Sequence, residues 1–396
     1  MSLNYFFNGN WCLMNLLIKN ECFTKRRDFG RGLIIMIVYH IVFWLCAIGV
    51  FIELDKNNKK YVLFIYVLFA MIYICRARVG TDYSVYLKNY NLLGNSYISE
   101  ITEYELGYEL ISRLFRLFHM PFQLMTMAMH SIVIICFYKA TSKLKLDFAM
   151  TFFLSLFYVF FPTLETLRQE ISIILFYYSL SYITVEREKY NNNTIIGLKS
   201  TGRIASVFKY YITNIVGFLF HRTSILSAAY YPFHKKRTVR IVVVIFLLSF
   251  VEFEPYILQL MSKIPAFYNR YVFYKWQTSQ HVNSGDIFSL KLLEYIIIII
   301  VLLFIKNKTE IEKIAMSLAM LGVPLLIFAS QTIDVVYRFI YYCDIGIVIF
   351  YSSMYSRLKK PIYKIVYIAI MTIYLLIRFS RTFQFDNPSY MYHFLF

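Results

Sequence analysis

Charged residues are scarce in this chain of 396 residues, of which Asp, Glu, Lys and Arg make up 16%, against about 25% in a soluble domain. Acidic residues are the scarcer sign, with 23 against 41 Lys and Arg. Hydrophobic residues make up 59% of the chain. The composition therefore excludes an ordinary soluble domain and indicates a membrane protein.

Several motifs of soluble enzymes are also missing. The sequence has no Walker loop, no dinucleotide fingerprint, no HExxH and no Cys/His cluster, so nothing supports ATP, nicotinamide or structural zinc. The six cysteines show no paired spacing, and four of them lie in or beside apolar runs. We therefore predict no cofactor and no metal, and interpret the cysteines as apolar filling.

Strict alternation of apolar and polar residues, which a membrane barrel needs, is absent as well. The apolar runs are continuous, and helices satisfy their backbone groups in lipid. We predict an all-α polytopic integral membrane protein with about twelve transmembrane helices, at 33–54, 61–75, 120–138, 148–162, 169–185, 208–220, 223–233, 239–257, 287–305, 313–330, 338–355 and 362–378.

The excess of 18 positive charges lies on alternate connections between these runs, which argues against a nucleic-acid partner. One set of connections holds 22 Lys and Arg in 62 residues, and the other set holds 11 in 106. Basic connections mark the cytoplasmic side. The long loops 76–119 and 258–286 and the tail 379–396 are therefore predicted to face outward.

The N-terminus breaks this pattern, because the basic stretch 25–31 would lie outside if the first run entered from there. We expect residues 1–35 to be a leader or an N-terminal extension, followed by a single transmembrane domain over 36–378. A re-entrant first segment remains the alternative.

Placing an ionisable side chain near lipid costs free energy. The ionisable residues at the outward ends of the apolar runs are therefore candidates for a structural or functional role. The stretch RARVGTDYSVY at 76–86 carries Arg76, Arg78 and Asp82. One interpretation is a pair of arginines that reach the membrane surface, followed by a helix that Asp82 caps. The other is a binding site at the mouth of the helix.

The stretch at 101–122 has apolar residues at helical spacing opposite Glu109, Arg113 and Arg116, which predicts an amphipathic helix on the membrane surface. Glu103 and Glu105 precede it. They are either solvated, or they position a sugar or hold an arginine.

Two further outward stretches carry ionisable residues. In PTLETLRQEISI, Glu165 and Arg168 lie about one helical turn apart, so Arg168 forms either a local ion pair or an anion site. In FHRTSIL, His221 and Ser224 share one helical face, and His221 is either a proton carrier or simply hydrogen-bonded.

Near the end of the chain, Arg338 lies four residues after Asp334 and four before Tyr342, which indicates either a local ion pair or a ligand-binding stripe. The outward loop 254–286 contains Arg270 and many aromatic residues, which suit a membrane belt or stacking on sugar rings.

Four arginines from distant parts of the chain are thus predicted to reach one surface: Arg76, Arg78, Arg168 and Arg338. Guanidinium groups bind phosphate oxygens bidentately. The sequence therefore predicts a site for a lipid diphosphate at the outward face.

The order RARVGTDYSVY, ELGYELISRLF, LETLRQEISI, FHRTSIL and YRFIYY resembles the O-antigen polymerases of the Wzy type and the EpsG-type exopolysaccharide polymerases, over about residues 36–355. The resemblance implies a glycosyltransferase of the bacterial inner membrane that polymerises undecaprenyl-diphosphate-linked oligosaccharide units at the periplasmic face, without metal. Membrane lipid and a chain-length regulator protein are the further partners that it implies.

The resemblance also implies roles for residues. The catalytic set is His221, Arg168, Arg338 and Asp82, and the substrate-binding set is Arg76, Arg78, Tyr83, Glu103, Glu105, Tyr342 and Arg270. His221, Asp82 and Glu105 are alternative bases for the acceptor hydroxyl. Two other functions remain open: a flippase for lipid-linked oligosaccharide, which would carry mid-span charges along a cavity, and a membrane acyltransferase.

Overall fold

The structure is a computed structural model, and it describes residues 38–54, 59–77, 82–93, 105–164, 166–191, 199–245, 247, 285–331, 334–382 and 393–394. All structural statements below concern these residues. The predicted N-terminal extension 1–35 and most of the aromatic loop 254–286 lie outside them.

Helices form nearly all of this part of the chain. They are α1 Val38–Ile52, α2 Lys59–Ile74, α3 Tyr83–Leu92, α4 Leu106–Leu117, α5 Phe122–Lys143, α6 Phe148–Ser155, α7 Leu167–Asn191, α8 Lys199–Phe220, α9 Ile225–Lys235, α10 237–245, α11 Gly285–Phe304, α12 Glu310–Gln331, α13 Asp334–Arg357 and α14 Pro361–Thr382. Two short strands, β1 Arg76–Ala77 and β2 His393–Phe394, pair antiparallel. The predicted all-helical architecture is confirmed in this form.

Membrane-spanning capacity is clearest in three helices. Within the described residues, α5, α12 and α14 are long and apolar enough to cross a membrane, by length and composition. Shorter apolar helices lie at Val38–Ile52, Lys60–Ile74, Phe148–Phe160 and Ile204–Phe220. The count of about twelve spans stays a prediction.

The core of the bundle is built around α7 and α13. Helix α7 packs between α5 and α8, and α13 packs along α12 and also meets α6. Helix α6 continues as a π-helix over Leu156–Phe160. Within this segment the buried Tyr158 donates a hydrogen bond to Glu294 of α11.

Local capping fixes where α12 begins. Thr309 accepts a hydrogen bond from the Glu312 amide at 3.2 Å, and the Glu312 carboxylate accepts one from the Thr309 amide at 2.7 Å. This reciprocal arrangement is a capping box. The carboxylate also accepts a hydrogen bond from Arg357 at 2.6 Å, which ties the start of α12 to the end of α13.

Helix α4 has the character predicted for a surface helix. Its apolar residues Leu106, Leu110, Leu114 and Leu117 are exposed, whereas Tyr108 is buried against the bundle. Because exposed leucines at helical spacing form one apolar stripe, lipid is the natural environment for this face. The interfacial position itself stays a prediction.

Helix α4 approaches the end of α8 through Gly107. A Cβ added at Gly107 would lie 2.8 Å from the Leu219 carbonyl oxygen, which is backbone and cannot rotate away. We therefore expect Gly107→Ala to force the two helices apart and to destabilise the protein by about 1–3 kcal/mol.

Thermal unfolding of the purified protein in detergent checks this expectation. The control is Gly49→Ala, because a Cβ at Gly49 meets the Ile65 side chain at an ordinary 3.4 Å. Equal stability of the two variants would contradict the close approach of α4 and α8.

Candidate functional site

Three consecutive polar side chains in the first turn of α7 contact three different parts of the fold. Arg168 forms an ion pair with Glu105, which immediately precedes α4. Gln169 donates a hydrogen bond to the Arg338 carbonyl at 2.7 Å, which joins the starts of α7 and α13. Glu170 points the other way and contacts Arg76. The LRQE stretch thus organises one end of the bundle.

Arg168 is held by an acid and by aromatic rings. Besides the ion pair with Glu105, its Nε donates a hydrogen bond to the Tyr86 hydroxyl at 3.3 Å. Its guanidinium carbon lies 5.3 Å from the Tyr86 ring centroid and 5.9 Å from that of Tyr108. Of the predicted options for Glu105, holding an arginine is the one that the structure shows. The predicted alternative partner, Glu165, lies outside the described residues.

Arg338 lies in the first turns of α13, near Arg168. It is partly exposed, and among the described residues its guanidinium takes part in no hydrogen bond or ion pair. The side chain of its predicted partner, Asp334, is not described. Arg338 is therefore a cation that its described neighbours do not neutralise by contact.

Asp82 precedes α3, at the same end of the bundle as these arginines. It occupies the N-cap position but its side chain forms no capping hydrogen bond, so the predicted capping role is wrong. Burial raises the pKa of Asp82, while the charges of Arg338 and Arg168 act in the opposite direction. The carboxylate is therefore within electrostatic reach of both guanidinium groups and is not used by the helix.

His221 lies in the turn between α8 and α9, close to the same arginines. Burial, followed by the charges of Arg338, Arg168 and Arg222, lowers the pKa of His221 to about 3. Its Nδ1 lies 2.7 Å from the Thr223 hydroxyl oxygen, which in turn lies 3.3 Å from the Tyr342 hydroxyl. The predicted helical face shared by His221 and Ser224 is not observed, because His221 is extended and caps the short 3-10 helix Arg222–Ser224, while the Ser224 hydroxyl bonds Ser227 and the Asn214 carbonyl.

The structure thus brings together Arg168, Arg338, Asp82 and His221, which we call the charged cluster. These residues come from α7, α13, the start of α3 and the turn after α8, and all four were predicted as catalytic. Among the side chains that the structure describes, Arg168, Arg338, Asp82, Glu105 and Arg222 together carry three positive and two negative charges when His221 is neutral. The net positive charge suits an anionic ligand.

Arg76 lies apart from the charged cluster, in a buried network. It is 3% exposed, and its Nη2 contacts the Glu170 carboxylate at 3.4 Å and donates to His130 Nε2 at 2.9 Å. Its guanidinium also lies 4.0 Å from the centroid of the Tyr73 ring. This placement favours a structural role, in which Arg76 joins α5 and α7, over the predicted contact with substrate.

Of the other residues predicted to bind substrate, the structure describes Tyr342 and Tyr83. Tyr342 is 1% exposed and contacts Thr223, so it reaches the site through other residues. Tyr83 packs edge-to-face on Phe122 at the start of α5, with ring centroids 5.3 Å apart. Arg78, Glu103 and Arg270 lie outside the described residues.

Two charged pairs in mid-helix were not anticipated from the sequence. Lys291 of α11 contacts Asp344 of α13 at 2.8 Å, and both side chains are buried. Glu294 of α11 contacts Arg378 of α14 at 2.9 Å. Charged residues within apolar runs were the signal that could have revealed them. In both pairs each charge contacts an opposite charge. The pairs therefore do not line a substrate path with unpaired charges.

The part of the chain that the structure describes contains no group of three or more His, Cys, Asp or Glu residues arranged to hold a metal ion. The chemistry that this end can perform with its own groups is anion binding by guanidinium groups, proton acceptance by a carboxylate and hydrogen bonding by an imidazole. Sequence reasoning missed Tyr86, Gln169 and Thr223, which contact Arg168, Arg338 and His221, and it missed Glu170, which holds Arg76 instead.

Comparison with known proteins bears on this assignment. Neither the curated proteins nor the solved structures with which the chain was compared gave a match. The EpsG family matches residues 59–395, which include the charged cluster and every helix from α2 to α14. The match covers most of the chain and confirms the resemblance to EpsG-type polysaccharide polymerases that the motifs indicated. The chain therefore belongs to the EpsG family.

Proposed function

We propose that this protein polymerises oligosaccharide units linked to undecaprenyl diphosphate, by transferring the growing glycan from one lipid diphosphate to a hydroxyl of the next unit. Family membership supports a polysaccharide polymerase in a membrane. The observation that carries the finer proposal is that Arg168, Arg338, Asp82 and His221 lie at one end of the bundle. There Arg168 bonds Tyr86 of α3, Gln169 bonds the Arg338 carbonyl, and Thr223 lies beside Tyr342 of α13.

The two arginines have different tasks in this proposal. Arg338, whose guanidinium forms no hydrogen bond or ion pair with a described residue, binds the diphosphate directly. Arg168, held by Glu105 and Tyr86, is a preoriented charge where the leaving group develops its negative charge. Fixed donors of this kind stabilise the transition state without reorganising during the reaction.

The transfer is a direct displacement at the anomeric carbon. The acceptor hydroxyl gives its proton to a base, and its oxygen forms the new bond to carbon. The bond between that carbon and the diphosphate oxygen breaks, and its electron pair leaves on the diphosphate. Charge on the leaving group increases at the oxygens that the arginines contact.

We assign the base to Asp82. Of the carboxylates predicted for this role, Glu105 is already paired with Arg168, whereas Asp82 forms no capping bond. Burial also raises the pKa of Asp82, which makes its carboxylate a better proton acceptor than an exposed aspartate.

The active face is assigned to the periplasmic side of the bacterial inner membrane. The bias of Lys and Arg towards the alternate connections supports this orientation. A chain-length regulator protein remains a predicted partner, and it would act on the length of the product rather than on the bond that is formed.

Complementation of a deletion strain tests the proposal through the length distribution of the glycan. We expect Arg338→Ala to leave single repeat units with normal amounts of protein in the membrane, because the diphosphate loses its direct ligand. Removing one such interaction is expected to lower the rate about 10²–10³-fold. Arg338→Lys is expected to recover only part of this loss, because an ammonium lacks the planar fork.

Arg113→Ala is the matched control, because Arg113 lies on α4 and pairs with Glu109 of its own helix. It should give a wild-type ladder. An unchanged ladder for Arg338→Ala would overturn the assigned site, and a complete absence of repeat units on the acceptor would indicate a flippase instead of a polymerase.

A further inference from the structure

The backbone at His221 fixes how its imidazole is used. His221 is extended, with φ −154° and ψ 125°, and it caps the short 3-10 helix Arg222–Ser224. In this position its Nδ1 accepts a hydrogen bond from the Thr223 amide at 3.3 Å. An amide N–H can only donate, so Nδ1 must present a lone pair to it.

The Thr223 hydroxyl completes the environment of Nδ1. Its oxygen lies 2.7 Å from Nδ1 and 3.3 Å from the hydroxyl oxygen of Tyr342. With Nδ1 as an acceptor, the consistent order of donors runs from Tyr342 to Thr223 and from Thr223 to His221. The hydrogen bonds that the imidazole of His221 forms with described residues both use Nδ1.

This geometry determines the tautomer. A neutral imidazole carries one proton, and with Nδ1 unprotonated that proton is on Nε2. In this form Nε2 has no lone pair, so it cannot remove a proton from an acceptor hydroxyl. The only basic nitrogen is Nδ1, and it is already engaged by Thr223.

Burial and the surrounding charges keep the ring neutral. Burial is the larger cause, and among the described residues the charges of Arg338, Arg168 and Arg222 act in the same direction. Together they lower the pKa of His221 to about 3. The ring therefore stays uncharged at neutral pH, and a proton added at Nδ1 would break the cap.

We propose that His221 is a hydrogen-bond donor, through Nε2–H, to the phosphate oxygens of the substrate, and that Thr223 and Tyr342 are positioning residues that hold it in this tautomer. The inference rests on the proposed function for the identity of the anion. It removes His221 from the candidate bases and gives the leaving group a third donor beside Arg168 and Arg338.

The tautomer can be measured without any activity. We expect nitrogen NMR of the purified protein, labelled with 15N-histidine, to show one ring with unprotonated Nδ1 and protonated Nε2 that does not titrate between about pH 5 and 8. The chain has seven histidines, and loss of the signal in His221→Gln assigns it. A ring that titrates near the usual value of about 6.5, or one with the proton on Nδ1, would overturn the inference.

Activity separates a donor from a base. The probe is the native lipid-linked repeat unit in membranes of a strain that lacks this protein, to which purified variants are added. We expect His221→Ala to lower the rate about 10²–10³-fold, and His221→Gln, whose amide can donate but cannot act as a base, to retain at least about a tenth of it. Equal losses in both variants, or no loss in either, would contradict the donor role.

The positioning role of Thr223 is tested by the nitrogen NMR signals and the kinetic constants of Thr223 variants. Thr223→Val keeps the backbone amide but removes the hydroxyl, whereas Thr223→Ser keeps both donors. We expect the valine variant to shift the nitrogen signals of His221 and to lower kcat about tenfold with little change in KM, and the serine variant to restore both. Unchanged signals in Thr223→Val would remove Thr223 from this role.

The two proposals fail differently. If Arg338→Ala polymerises normally while the NMR tautomer is as expected, the proposed function fails and the state of His221 stands. If Arg338→Ala is inactive while His221 titrates, the polymerase site stands and His221 returns to the candidate bases.

Discussion

Replacing Asp82 by Asn is expected to abolish nearly all polymerisation, with a loss of about 10²–10⁴-fold in rate and normal protein levels in the membrane. The substitution keeps the size of the side chain but removes its negative charge and its ability to accept a proton. Because Asp82 makes no capping hydrogen bond, α3 does not depend on its carboxylate for a cap. The loss should therefore appear in the rate and not in stability.

The pH profile identifies Asp82 more specifically. Burial raises the pKa of Asp82 above its ordinary value of 3.8, and a base must be deprotonated to act. Activity is therefore expected to fall as the pH decreases through this raised pKa, and to stay flat above it. Because His221 stays neutral, it should contribute no second fall near its ordinary value.

The measurement is product length against pH, made with the wild-type protein and with Asp82→Asn on the same membrane-bound repeat units. The residual activity of Asp82→Asn should lack the acid limb. Asp147→Asn is the control, because Asp147 caps α6 through the Met150 amide at 3.0 Å and lies outside the charged cluster. Full activity of Asp82→Asn would exclude this residue as the base.

Breaking the buried pair of Lys291 and Asp344 is expected to cause the largest loss of stability. Both side chains are buried, and Asp344 also accepts a hydrogen bond from Tyr295 at 2.6 Å. Lys291→Met leaves the Asp344 carboxylate without its counter-charge. Removing one partner of a buried pair typically costs about 3–5 kcal/mol in free energy of unfolding.

The double variant Lys291→Met/Asp344→Asn should recover most of this loss, because no unpaired charge remains and the amide oxygen introduced at position 344 still accepts from Tyr295. Thermal unfolding in a single detergent compares the two. The control is Lys313→Met, whose partner Glu310 lies on the same helix and near the surface, so a change below about 1 kcal/mol is expected. A single variant as stable as the wild type would contradict the buried pair.

This pair also has a functional consequence. Asp344 lies on α13, the helix that carries Arg338 and Tyr342. Because the pair joins α13 to α11, it fixes the position of α13 in the bundle. We infer that the mid-helix charges support the site from a distance, as structural contacts between helices.

The sequence by itself determined that the chain is helical and apolar. It also determined which outward polar residues were candidates for a functional site. Continuous apolar runs leave the backbone no other way to satisfy its hydrogen bonds in lipid. The same scarcity of charge made Arg168, Arg338, Asp82 and His221 conspicuous, and the structure brings these four together.

Only the tertiary structure decided which partners these residues have. Sequence spacing identifies neighbours three or four residues apart. It offered Glu165 as one possible partner of Arg168 and placed Ser224 on one helical face with His221. The observed partner of Arg168 is Glu105, 63 positions away, and Tyr342 meets Thr223 across 119 positions. Contacts of this range follow from the packing of α4 on α8 and of α7 beside α13, which no local pattern specifies. The buried state of Arg76 and the tautomer of His221 were decided in the same way, because each depends on groups that only the folded chain brings within hydrogen-bonding distance.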